Sequence, residues 1–399
     1  MVTTTTTAPN ETLAKVLKFQ KSFPAKLRDK YSDRYSKLLQ DMANDAGEFL
    51  HNLDADNHTE DEVKTIIKAF PSALSHLDYY DFLPIHSAAH SIESIPFVTL
   101  LAEEGVKLEV GGKGKRGGLL VEESITRHVP NVLQLLAKRK STDDDSIRVL
   151  LDAIKKLRES KLLLEPDITQ YELLLWSCDP PSKDQFDYFL AWDPEALENT
   201  ECGYDRLIHA VIDIGSIESF VMILKAGMKH FPEHLGFLFQ KNSDGETACE
   251  LAFNKYDGKD ETFKAIRECI PTDADYPVLH HVIKHAPQYL NDFTMRYPSA
   301  IYLRDEKQRS FLHVALSSGT SFKTDAVFIT SRRDEEIEER DPVTELYPFA
   351  IAASAVKSDL CTIYHLLRRN PSLWKGGAVL KSVNLARPVE NESVSLDEV

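Results

Sequence analysis

Residues Pro298–Ala315 read PSAIYLRDEKQRSFLHVA, and they place His313 fifteen residues after a proline that a small apolar pair follows closely. The same arrangement occurs twice more. PSALSHLDYYDFLPIHSAA puts His86 fifteen residues after Pro71, and PEALENTECGYDRLIHAV puts His209 fifteen residues after Pro194. A fixed distance kept in three copies is the mark of a structural repeat. His280, in YPVLHHVI, extends the count, because it lies thirty-three residues before His313.

The segments around these histidines read as pairs of short helices. LPIHSAAHS and RLIHAVIDI are first helices, and SIPFVTLLAEEG and SIESFVMILKAG are second helices with apolar residues at helical spacing (Phe97, Leu100, Leu101; Phe220, Ile223, Leu224). Gly105 and Gly227 are expected to end two of these second helices, where glycine enters the left-handed region without steric cost. In other copies the stop is a proline, at Pro71, Pro194, Pro298 and Pro371, because proline disfavours helical geometry in the residue before it. The apolar pairs that follow (Ala73–Leu74, Ala196–Leu197, Ala300–Ile301) are expected to plug the chain back against its helix pair.

LPIHSAA, YPVLHHVI, FLHVALSSG and DGETACELA resemble the T-P-L-H-x-A signature of ankyrin repeats, and DPVTELYPFAIAAS followed by TIYHLLRRNPSL is similar to the degenerate ankyrin-type repeats of marine microalgae. With signature positions at His86, Gln134, Leu174, His209, Glu250, His280, His313 and Ala350, only one interval equals the family's period of thirty-three. The resemblance covers residues 60 to 375 and is weakest between 110 and 180. It implies an all-α solenoid of about seven or eight helix–turn–helix units. It also implies that His86, His209, His280 and His313 bridge neighbouring loops.

The expected organisation is a disordered Thr-rich leader over residues 1–9, capping helices over 10–58, the repeat array over 59–375 and an acidic, disordered tail over 376–399. The chain has 399 residues, 42% of them hydrophobic, and a net charge of -16. That charge argues against nucleic-acid binding, which needs clustered cations. MVTTTTTAPN has neither the basic nor the apolar region of a secretory signal. The sequence contains no apolar run of membrane-spanning length. Cys178, Cys202, Cys249, Cys269 and Cys361 are scattered and form no CxxC. A reducing, cytoplasmic or nuclear setting is expected. The N-x-[ST] triplets at Asn10, Asn57 and Asn391 carry no weight there.

GGKGKRGG holds G-x-G-x-x-G at Gly112, Gly114 and Gly117 after VKLEV, which passes as a strand. GLLVEESITRHVP is a poor helix start for pyrophosphate, so an extended, mobile loop is expected. His281 and His285 are one helical turn apart without the glutamate of a zincin. SRRDEEIEERDP reads as a solvated helix end. The terminal Asp397 and Val399 fit a generic PDZ-ligand pattern.

The function expected is a non-enzymatic, monomeric protein-interaction scaffold with an unknown protein partner, no cofactor and no metal. The alternative is an enzyme or ligand-binding protein with a site built on the solenoid. Partner-binding candidates are the loop residues Tyr79, Tyr80, Tyr204, Arg206, Arg304 and Lys307 with the basic loop Lys113, Lys115 and Arg116. Tyrosine and arginine are favoured because they dominate interface energetics.

Overall fold

The computed structural model describes residues 32–122, 130–140, 143–198, 206–256, 259–270, 276–319, 334–356 and 359–369. The expectations for the leader, the tail, Tyr204, Cys202 and Pro371 lie outside these residues. Among the described residues the regular structure is helical, with no strand beyond isolated bridges. The chain divides into two compact units, Met1–Ile223 and Leu224–Val399.

In the first unit Ser32–His51 packs against the helix Pro84–His90. His51 fixes the contact, because its Nδ1 accepts from the Ser87 hydroxyl at 2.7 Å and its Nε2–H donates to the His76 carbonyl at 3.1 Å. First helices then pack in chain order: Pro84–His90 on Val132–Lys138, that helix on Leu173–Trp176, and that one on Leu207–Ile214. Second helices make a parallel row, Val98–Lys107 on Asp144–Glu159 and Asp144–Glu159 on Lys183–Trp192. These helices pack against neighbours in chain order.

The second unit repeats the scheme. Val278–His285, Phe311–Ser317 and Pro348–Ser354 pack in chain order, and Leu290–Arg296 and Leu360–Arg369 back the first and last of them. A further pair, Ala248–Lys255 and Lys259–Cys269, joins through Phe253 and Phe263, whose ring centroids are 4.9 Å apart. Phe263 in turn meets Phe293 at 5.0 Å. Burial of such rings contributes roughly 2–3 kcal/mol each.

The proline stops behave as their chemistry dictates. Phe70, Asp193 and Tyr297 leave helical geometry at φ/ψ of -133/75, -133/87 and -125/58, and a proline-led 3-10 turn follows each. Phe231, before Pro232, does the same at -134/58. The pairs Ala73–Leu74, Ala196–Leu197 and Ala300–Ile301 are buried.

Two glycine expectations are corrected. Gly105 and Gly227 do not end helices; they lie inside Val98–Lys107 and Ile217–His230. Each is where the returning chain touches the helix. A Cβ on Gly105 would meet the Gly117 carbonyl oxygen at 2.6 Å, and one on Gly227 would meet the Gly236 Cα at 2.8 Å. The returning glycines are themselves left-handed, at φ +69 and +59. VKLEV is not a strand but the end of that helix and a turn. The glycine-rich segment is not an extended loop either, because Gly117 and Gly118 are buried in a 3-10 turn.

Candidate functional site

Four turns of one design precede four first helices. Asp78 donates its N–H to the Phe82 carbonyl at 3.0 Å and accepts from Asp81 N at 3.1 Å on its own carbonyl. Its Oδ1 accepts from Tyr80 N at 2.8 Å and Phe82 N at 2.9 Å. Asp305 repeats this with Arg309 and Gln308 on the backbone, and with Lys307 N and Arg309 N on Oδ1 at 3.0 and 2.9 Å. Asn242 closes on Glu246 and Gly245, and its Oδ1 accepts from Glu246 N at 2.8 Å. Asp341 closes a loop one residue longer, onto Leu346 and Glu345. An Asx side chain mimics a turn by bonding the backbone ahead of it. The penultimate residue of each turn is left-handed: Asp81, Gly245, Gln308 and Glu345, at φ +64, +82, +60 and +59.

The tips differ while the frame repeats. Tyr79 and Tyr80 are 93% and 72% exposed and stand edge to face, with centroids 5.3 Å apart. Ser243 and Asp244 top the second turn, Glu306 and Lys307 the third, and Val343 and Thr344 the fourth, all exposed.

The frame is tied together by the third residue of each first helix. Of the eight signature positions, His86, Gln134, His209, Glu250, His280, His313 and Ala350 each hold that place, and Leu174 is second in its helix. His86 Nε2–H donates to the Val121 carbonyl at 3.1 Å, His280 to Arg309 at 3.3 Å and His313 to Glu339 at 3.1 Å. A carbonyl only accepts, so Nε2 carries the hydrogen in all three. In His313 this leaves Nδ1 to accept from the Ser310 hydroxyl at 2.9 Å, which closes a capping box. Gln134 does the same work without a ring, reaching the Tyr171 carbonyl at 3.2 Å. Glu250 cannot donate, and instead accepts from the Gln288 amide. His209 is buried as well. Burial pushes the His86 imidazole down to about 4, so it is neutral at pH 7.

Other candidates fall into place or drop out. Arg304 stands on the stem of its turn, where both terminal nitrogens donate to the Glu339 carboxylate at 2.8 Å. Arg206 is the half-buried N-cap residue of Leu207–Ile214. Lys113 is exposed, and Lys115 Nζ donates to the Leu120 carbonyl at 3.0 Å. Arg116 bonds the Leu162 carbonyl at 3.2 Å and pairs with buried Asp167. The basic segment is therefore partly a structural clasp. His281 and His285 stack with centroids 6.4 Å apart. Burial lowers His281 to about 4, and among the described residues no group of three or more His, Cys, Asp or Glu side chains is placed to hold a metal ion. Burial raises the thiols of Cys178, Cys249 and Cys269, the last to about 12, which removes them as thiolate nucleophiles.

The spacing that locates the turns is visible in the sequence. Asp78, Asn242 and Asp305 each lie eight residues before the signature position. Among the described residues no helix is long and apolar enough to cross a membrane. No protein-family model matches the chain, and no curated protein matches it.

Proposed function

We propose that the chain is a degenerate ankyrin-like repeat protein that acts as a non-enzymatic interaction scaffold, and that its turn tips make the first contact with a protein partner. The observation that carries this reading is the pairing of a repeated turn frame with tips that differ in every copy. A frame held by Asx bonds and by third-residue bridges tolerates any tip, and loops on a rigid scaffold are where recognition residues concentrate. Tyr79 and Tyr80 are the strongest candidates, because two exposed rings on a fixed turn lose little entropy on binding. The reading places the protein in the cytoplasm or nucleus, as a monomer.

The test uses the full chain immobilised in an extract of its source cell. A captured protein is purified and titrated against wild type and the variant with Tyr79→Ser and Tyr80→Ser. Weaker binding at unchanged unfolding stability supports the reading. Equal binding by the variant and by the corresponding variant at Glu306 and Lys307 removes the tips from recognition.

A further inference from the structure

Within the first unit, four histidines meet where the helix Ser32–His51 joins the array. His51 ends that helix, His76 follows the turn Pro71–Ser75, and His86 and His90 lie on Pro84–His90. The His51 and His76 rings stand edge to face with centroids 5.7 Å apart. Phe82 links the other two, with its centroid 6.1 Å from that of His86 and 5.5 Å from that of His90. His76 also fills the notch at Gly47, where a Cβ would collide with its ring. Its Nδ1 is buried without a hydrogen-bond partner.

The buried footprint of the helix is small. Of residues 36–51 only Ala46, Gly47 and Leu50 are buried, and Leu38 is half exposed. The polar tie is His51, whose two ring nitrogens bond Ser87 and the His76 carbonyl. A second proton on this ring would sit on Nδ1, and the Ser87 hydroxyl would turn to accept from it. The bond survives that change, so the cost is that of burying charge. The helix C-terminus favours a charged His51 equally in the docked and the free helix, so it does not alter the balance.

Burial lowers the proton affinity of His51, His86 and His90. The charges would also oppose one another: His76 acts on His51, His90 and His51 act on His86, and Arg139 acts on His90. One carboxylate, Asp78, faces all three and works the other way. Its Oδ1 already accepts two backbone N–H groups. Glu60–Ala69, which also packs on the helix, turns Val63, Ile66 and Ile67 inward and leaves Glu60, Asp61, Lys64 and Lys68 exposed.

We propose that this seam is a pH-operated latch: as His51 and the histidines behind it take up protons below neutral pH, the helix Ser32–His51 leaves the array while the rest of the first unit stays folded. The sign follows from the lowered affinities. Docking is complete above the free-histidine value near 6.5 and weakens as pH falls. Departure uncovers the turn Pro71–Ser75 with its buried Ala73 and Leu74, a few residues before the exposed Tyr79 and Tyr80.

Hydrogen exchange of the full chain is followed by mass spectrometry at pH 7 and pH 5, with rates corrected for the pH dependence of intrinsic exchange. Amides of residues 40–51 and 72–76 are expected to lose protection by about tenfold or more at pH 5, several-fold more than those of Lys183–Trp192. His51→Gln keeps a donor for the His76 carbonyl and an acceptor for Ser87 but takes up no proton. It is expected to cut the loss over residues 40–51 to about threefold and to leave that of Lys183–Trp192 as it was. Asp78→Asn keeps the turn, as Asn242 does in its own, and removes the carboxylate that faces the histidines. It should enlarge the loss about two- to threefold. The proposal is overturned if the helix and Lys183–Trp192 lose protection equally, if neither loses any, or if His51→Gln changes nothing. Should His51→Gln already lack protection at pH 7, Asp78→Asn decides, and a loss that it fails to enlarge overturns the latch.

Discussion

Residues 78–121 and residues 305–339 follow one plan in two different units. Each begins with an Asp-nucleated turn, passes into a short first helix whose third residue is a buried histidine, and ends at the carbonyl which that histidine reaches, Val121 in one case and Glu339 in the other. They differ at two places. The turn tips are Tyr79–Tyr80 in one and Glu306–Lys307 in the other. The helix starts also differ, because Ser310 caps through its side chain, whereas Leu83 cannot and Pro84 takes the first helical position instead. The shared parts are those that hold the chain to its neighbour. The variable parts face solvent.

The largest effect expected from the shared parts is on pH dependence. His86 is neutral in the fold down to about pH 4, whereas in the unfolded chain it takes up a proton near 6.5. Between those values the unfolded state binds more protons, so stability is full above pH 6.5 and falls as pH drops toward 4. The share of His86 is roughly 3 kcal/mol over that window. Denaturant unfolding measured across pH 7 to 4 should slope accordingly, and His86→Gln should flatten it by that amount. His51 and His90, also lowered by burial, add to the slope in the same direction. An unchanged slope in the variant would show that His86 is solvated.

Next in size is the bridge itself. His313→Ala strands the Glu339 carbonyl and removes the capping-box partner of Ser310, at a cost of about 2–3 kcal/mol. His313→Gln keeps a donor at the same place, as Gln134 does, and should recover about half of that loss. If glutamine proves no better than alanine, the ring fills space rather than bridging. The turn frames come third. Asp78→Ala should cost about 1 kcal/mol, and Asp305→Ala somewhat more, because it also leaves Arg309 without its carboxylate. Equal losses at the two sites would mean that the Arg309 pair contributes little.

These contrasts also mark what a sequence can disclose. The stops at Pro71, Pro194 and Pro298 were legible because proline acts on its own φ and on the residue before it, and both effects are local. The helical class was legible for a similar reason, since periodicity within a helix is local. Gly105 and Gly227 were misread because their role is close approach to Gly117 and Gly236, which depends on how the chain returns. The role of Arg116, a partner-binding candidate in the sequence, was not legible because the carboxylate it pairs with, Asp167, lies fifty-one residues on. The turns occupied a middle case. Their Asx spacing is in the sequence, but their use as frames appears only when the bonds to Asp78 and Asp305 are laid side by side.

The smallest stability effect is expected at the tips, and it tests the central claim most directly. Exchanging them, with Tyr79→Glu and Tyr80→Lys in the first turn and Glu306→Tyr and Lys307→Tyr in the other, leaves every frame residue in place. Denaturant unfolding of this exchanged chain should match wild type within about 0.5 kcal/mol, since surface changes away from buried partners rarely cost more. A loss above about 2 kcal/mol would show that the tips belong to the fold, and would contradict the separation of a common frame from replaceable tips.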